Sequence, residues 1–204
     1  MKKKPSTTRL ILVRHGETIA NGKARVCGGW QSPLTRKGID QAKKLAIRLK
    51  DESIDIIYTS NLIRARKTAA YIRRYHQKTP CIVESELRER YYGTFERKKV
   101  SAFYVAMQKV GKTRATFRPP RGESAGDVRK RAKKVLTKII SQNRGKTILI
   151  VAHGAFNTCA ILYLLKKKNT EYVKLFQHNT AVTIINITGK KVKLHTLNCT
   201  KHLK

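Results

Sequence analysis

The stretch Leu10-Ile11-Leu12-Val13-Arg14-His15-Gly16 has a counterpart far downstream in Ile148-Leu149-Ile150-Val151-Ala152-His153-Gly154. Each is a short apolar run that stops at His-Gly. Runs apolar on both faces read as buried strands of a parallel sheet. In open α/β sheets, ligands sit outside the carboxyl ends of the strands. The two histidines are therefore expected to meet at one site, with Arg14 beside one of them. Arginine forks grip phosphate oxygens, and imidazole can itself accept a phosphoryl group. A phosphorylated substrate suits this set. The plainer alternative, two unrelated histidines at strand ends, is weakened by the adjacent Arg14.

Outward from these runs, strand and helix patterns alternate. A strand at about 9–14 leads into a Gly-rich loop that ends at Ser32-Pro33-Leu34-Thr35. Thr35 is the expected N-cap of a helix carrying Ile39, Ala42, Leu45, Ala46 and Leu49 at helical spacing. A second strand is expected at 54–59. Ser60 or Asn61 is then the expected cap of a helix with the stripe Leu62, Ala65, Ala69 and Ile72. Cys81-Ile82-Val83 reads as a third short strand. The segment 91–122 is ambiguous, with helical character near 100–110 before Pro119-Pro120 and Gly122 break it. A helix at about 124–141, a strand at 147–152 and a helix at about 155–165 follow. Two strands at 181–187 and 192–197, joined at Thr188-Gly189, close the chain. This order predicts a three-layer α/β/α sandwich on a mostly parallel central sheet, in one domain spanning 1–204.

Of the 204 residues, 40% are hydrophobic, which fits a chain with a packed core. No apolar run approaches the ~20 residues a membrane helix needs. Met1-Lys2-Lys3-Lys4-Pro5 is basic, but the next apolar stretch, Leu10 to Val13, is too short for a signal-peptide core. A cytoplasmic protein is expected. Cys27, Cys81, Cys159 and Cys199 are scattered without CxxC spacing and read as reduced thiols. Forty-six Lys and Arg face twelve Asp and Glu, a net charge of +34. From Arg97 to Gly122, and again from Val128 to Thr170, there is no acidic residue. Such a surface draws polyanions, nucleic acid included, unless the lysines merely coat a solvated surface.

Several motifs appear in one order. Leu12-Val13-Arg14-His15-Gly16-Glu17-Thr18 comes first, then Asn21, Arg25, Gly28, Trp30 and Ser32-Pro33-Leu34-Thr35. Tyr58-Thr59-Ser60 follows, with Leu62, Arg64-Ala65 and Thr68-Ala69. Then come Leu87-Arg88-Glu89-Arg90 with Tyr92-Gly93, Pro119-Pro120-Arg121-Gly122-Glu123-Ser124, and Ala152-His153-Gly154. Over nearly the whole chain this resembles the histidine phosphatase superfamily, in its phosphoglycerate-mutase-like branch. The resemblance implies a phosphomonoesterase acting on a small phosphorylated metabolite through a phosphohistidine, with neither metal nor cofactor. It implies His15 as nucleophile, Glu89 as general acid and His153 as a third catalytic residue, and Arg14, Asn21, Arg64 and His153 as phosphate contacts. Cys27, Gly28, Arg90, Tyr92 and Glu123 are the candidates around the substrate.

Physical chemistry agrees with those roles. A neutral imidazole can attack phosphorus in line, and water can then hydrolyse the product, which splits one hard step into two. The Gly16 carbonyl is placed to fix the ring tautomer of His15. Arg14, Arg64 and a protonatable His153 supply donors to the transferring group. Arg64 falls in the first turn of its helix, whose dipole also favours phosphate. Arg88, Arg90 and Arg97 are expected to surround Glu89 and favour its charged form. Three alternatives stay open: a bisphosphate-dependent mutase, a metal site of His15, His153 and Glu89, and a polyanion-binding protein on the same fold. Mutases usually carry Asn where Ala155 stands, and a longer insertion with an Arg pair before the second His. Phosphatases often carry Gly where Arg97 stands.

Overall fold

The computed structural model describes residues 6–204; the basic Met1–Pro5 segment lies outside them. The strands are β1 (Thr7–Arg14), β2 (Ile56–Thr59), β3 (Cys81–Val83), β4 (Thr147–Ala152), β5 (Val182–Thr188) and β6 (Lys191–Cys199). They form one sheet in the order β3-β2-β4-β1-β5-β6. The first four run parallel, and β5 and β6 add an antiparallel hairpin. The helices are α1 (Ile19–Gly22), α2 (Arg36–Leu49), α3 (Ile63–Arg73), α4 (Val100–Lys109), α5 (Ala125–Gln142) and α6 (Gly154–Leu164).

Side-chain alternation along β1 builds both layers. Leu10 and Leu12 join the core under α5 and α6, while Ile11 and Val13 join the core under α2 and α3. Both faces are covered, which is why β1 and β4 read as continuous apolar runs. The expected three-layer α/β architecture is present. A third, separate cluster of Val26, Phe103, Met107 and Phe117 holds α4 and the loop after it as a cap on the carboxyl side of the sheet.

Local chemistry explains where the elements begin. Thr35 caps α2 by accepting the Gly38 N–H. Ser124 and Asp127 form a reciprocal capping box at the start of α5. Two expectations differ from the structure. β2 begins at Ile56, because Asp55 turns its carboxylate back onto the Thr147 N–H at 2.7 Å. Neither Ser60 nor Asn61 caps α3. Leu62 holds that place without a side-chain cap, and the free Ile63 N–H is taken by Gln31 Oε1 from the first loop at 2.8 Å. A tertiary contact thus does what a local cap does elsewhere.

Candidate active site

β1 and β4 are neighbours, with Arg14 paired to Ala152 in register. The next residue on each strand is a histidine, so one backbone step beyond the sheet brings His15 and His153 together. Their ring centroids are 5.1 Å apart. The His15 N–H donates to the Ala152 carbonyl, which locks the two strand ends.

His15 is buried, and its two ring nitrogens are distinguished. Nδ1 donates to the Gly16 carbonyl at 2.7 Å, so Nε2 carries the lone pair. Arg64 Nε–H donates to that Nε2 at 3.2 Å. Burial, then the Arg64 and Arg14 cations, push the His15 pKa well below the ordinary histidine range. The ring is therefore neutral, as a nucleophile must be. Gly16 is fixed by space: a Cβ there would run into the Gly38 carbonyl oxygen.

Arg64 is wholly buried in the first turn of α3. Its other nitrogens donate to the Trp30 carbonyl at 2.8 Å and the Gly28 carbonyl at 2.7 Å. Arg14 donates to the Gln177 carbonyl at 2.8 Å and lies over the Phe176 ring. His153 precedes α6, and neither ring nitrogen has a protein partner. Burial, Arg64, His15 and Arg14 lower its pKa as well. In the free protein His153 is thus a neutral donor, not the charged one expected from sequence.

Glu89 is held by backbone. Its Oε1 accepts from Arg90 N at 2.8 Å and Phe156 N at 3.1 Å, and its Oε2 accepts from Ala155 N at 3.2 Å. The carboxylate therefore sits on the N-terminus of α6, beside His153. The expected collar of arginines is not there. Arg88 pairs with Glu86, Arg90 binds the carbonyls of Glu123, Arg114 and Phe117, and Arg97 lies over Trp30.

A cavity of about 170 Å³ opens over these groups. Asn21, Cys27, Gly28 and Tyr92 line it with Arg14, His15, Arg64 and Glu89. Asn21 closes a capping box with Thr18 at the start of α1. Burial raises the Cys27 thiol, which donates to the Trp30 carbonyl and is no thiolate. Two expected substrate contacts stand behind the wall. Arg90 is buried and clamps the cap through three carbonyls. The Glu123 carboxylate binds Arg131 at 3.1 and 2.9 Å and the Tyr91 N–H at 2.9 Å. Arg131 in turn donates to the Glu86 and Arg88 carbonyls, so the pair steadies the loop that presents Glu89.

Sequence reasoning missed Arg114 and Phe176. Arg114 reaches the cavity from the loop after α4, stacked 4.6 Å from the Phe176 centroid. It has no carboxylate partner among the described residues. Its only sequence signal was a basic residue in an acid-free segment, shared with seven others. No cluster of three or more His, Cys, Asp or Glu placed to hold a metal occurs among the described residues.

The family model described as "Histidine phosphatase superfamily (branch 1)" matches residues 10–200. The chain belongs to that superfamily. This histidine phosphatase is 30% identical to the 2,3-bisphosphoglycerate-dependent phosphoglycerate mutase 1 of Arabidopsis thaliana, over 94% of its own length and 68% of the mutase. It is 27% identical to the metal-independent phosphoserine phosphatase of the same plant, over 100% of its own length and 86% of that protein. Among solved structures it is similar to the phosphoserine phosphatase of Entamoeba histolytica in complex with 3-phosphoglyceric acid. The TM-score is 0.86 at 32% identity, covering 97% of this chain and 100% of that one. No helix of the described residues is long and apolar enough to cross a membrane.

Proposed function

We propose that this histidine phosphatase hydrolyses a small phosphomonoester through a phosphohistidine at His15. The observation that carries the reading is the His15 ring itself: locked through Nδ1, with Nε2 at a cavity lined by arginines, where Arg64 Nε–H holds its lone pair until a phosphoryl group takes that donor. Nε2 attacks phosphorus, the P–N bond forms and the P–O bond to the leaving group breaks. Protonated Glu89 gives its proton to the leaving oxygen. Water then attacks phosphorus, Glu89 takes the proton, and the P–N bond breaks to release phosphate. Arg14, Arg64 and the donor His153 cover the charge on the equatorial oxygens, with Asn21 at the cavity wall. No metal enters these steps.

The cavity also suggests the substrate class. Its volume admits a small metabolite. Arg114 and Arg25 add cations beyond those at the phosphoryl position, so the substrate carries a second anionic group, a carboxylate being the simplest. A mutase is the second reading, favoured by Arg114 and by the likeness to the plant mutase. A panel of phosphomonoesters, phosphoserine and 3-phosphoglycerate included, tests both. Release of inorganic phosphate that persists after exhaustive chelation and is lost in His15→Ala is expected. Isomerisation of 3-phosphoglycerate primed by bisphosphate, without net hydrolysis, would make the mutase reading the right one. Turnover restored only by a divalent ion would overturn the metal-free steps.

A further inference from the structure

A second, more open cavity lies away from the candidate active site. A groove of about 620 Å³ lies at the far end of the sheet, between the last turns of α5 and α6 and the β5–β6 hairpin. Its position is independent of the catalytic cavity. Thr8 at the start of β1 and Leu164 at the end of α6 line it, while the catalytic histidines stand at the opposite ends of those two elements. No helix covers the hairpin at this corner, so Ile187 and Val192 are left partly exposed and form, with Ile140, an apolar floor continuous with the core.

At this size the groove falls within the range of small-molecule sites, which are mostly apolar with a few placed polar groups. Here the polar groups are the hydroxyls of Ser6, Thr8, Thr137, Ser141 and Tyr163, and two cations. Arg144 and Lys166 are exposed beside the groove, and no acidic residue lines it. Neither side chain makes an ion pair among the described residues. Both follow helix C-termini, whose dipoles favour positive charge. That accounts for two bases near this corner and leaves both charges without an anionic partner. An apolar floor under two free cations is complementary to one kind of ligand: an aliphatic tail with an anionic head.

We propose that this groove binds a medium-chain aliphatic anion, its tail on Ile140, Ile187 and Val192 and its head between Arg144 and Lys166. The proposal rests on this corner alone and stands or falls separately from the phosphatase reading. Decanoate is the probe, titrated by calorimetry into the full chain. Saturable one-to-one binding is expected, unchanged in His15→Ala and not displaced by inorganic phosphate. Decanol, without the charge, and acetate, without the tail, should both bind far more weakly. Val192→Glu places an acid in the groove and should raise Kd by roughly tenfold or more. The surface variants Arg144→Glu and Lys166→Glu, which leave the core untouched, should weaken binding in the same direction. Ile82→Glu, the same charge change as Val192→Glu but on the opposite edge strand, should not. Equal weakening by Ile82→Glu would mean that net charge alone attracts the probe. Non-saturable binding, or displacement by phosphate, would equally overturn the site and leave the two cations to their helix ends.

Discussion

Each nitrogen of His15 has its own partner, and the pH dependence of the protein follows from that. Burial and two arginines depress the pKa of His15, and burial likewise depresses that of His153. The unfolded chain therefore takes up protons near the ordinary value of about 6.5 while the folded chain does not. Stability is full above that pH and falls as pH drops below it, by up to about 1.4 kcal/mol per pH unit for each histidine. Denaturant titrations between pH 7 and pH 5 should show this decline, and His153→Asn should flatten it. A wild-type stability that is constant across that interval would mean the rings are not held neutral. Glu89 offers a second test. If it protonates the leaving group, Glu89→Gln slows alkyl phosphates by about 10²–10⁴-fold and activated aryl phosphates much less. Equal losses for both would recast Glu89 as a structural ligand of the α6 N-terminus. At this scale the sequence was legible wherever chemistry follows the chain. His15, Arg14, Arg64 and Glu89 stand in motifs, and the structure brings them to one cavity. Glu123 and Arg90 sit in equally conspicuous motifs yet turn their side chains to neighbouring backbone and to Arg131, which no spacing reveals. Arg97 adopts φ +68, the left-handed conformation that favours glycine, and its guanidinium covers Trp30.

The elements that carry the site are the ones whose sequence pattern was strongest. β1 and β4 are apolar on both faces, and their pairing alone makes the two histidines meet. α6 contributes twice: His153 precedes its first residue, and its free N–H groups hold Glu89. Such donors are left over at every helix start, which makes them a ready carboxylate cradle. The cap was not legible for a physical reason. The core of α4 is an aromatic cluster that pairs Phe103 with Tyr92, Phe95 and Phe117, from three separate segments, and Arg90 ties them through carbonyls. No periodicity within 91–122 encodes contacts of that kind. α5, by contrast, announces itself through Ser124 and Asp127. Ser124→Ala should cost about 1 kcal/mol of stability, read as a lower denaturation midpoint at unchanged slope. No loss would mean that Arg118, which also binds Asp127, sustains the helix start.

Across the whole molecule the charge of +34 is spread along the chain, though α1 and α6 carry none of it, and four of its arginines line the candidate active-site cavity. A phosphorylated substrate is then attracted over a screening length of about 8 Å at physiological salt. Raising ionic strength tenfold should lower kcat/KM several-fold while kcat stays nearly constant, since steering acts on encounter. A flat kcat/KM would place the lysines in a solvating role alone. The same field should draw nucleic acid non-specifically, with affinity falling steeply in salt. All of these effects presuppose the chemistry at His15. Rapid-quench turnover of a ³²P-labelled phosphomonoester tests it most directly. Label bound to the protein that is acid-labile and alkali-stable, and absent from His15→Ala, is the expected result. Full turnover by wild-type protein with no such label at any time point, or undiminished label in His15→Ala, would contradict the account.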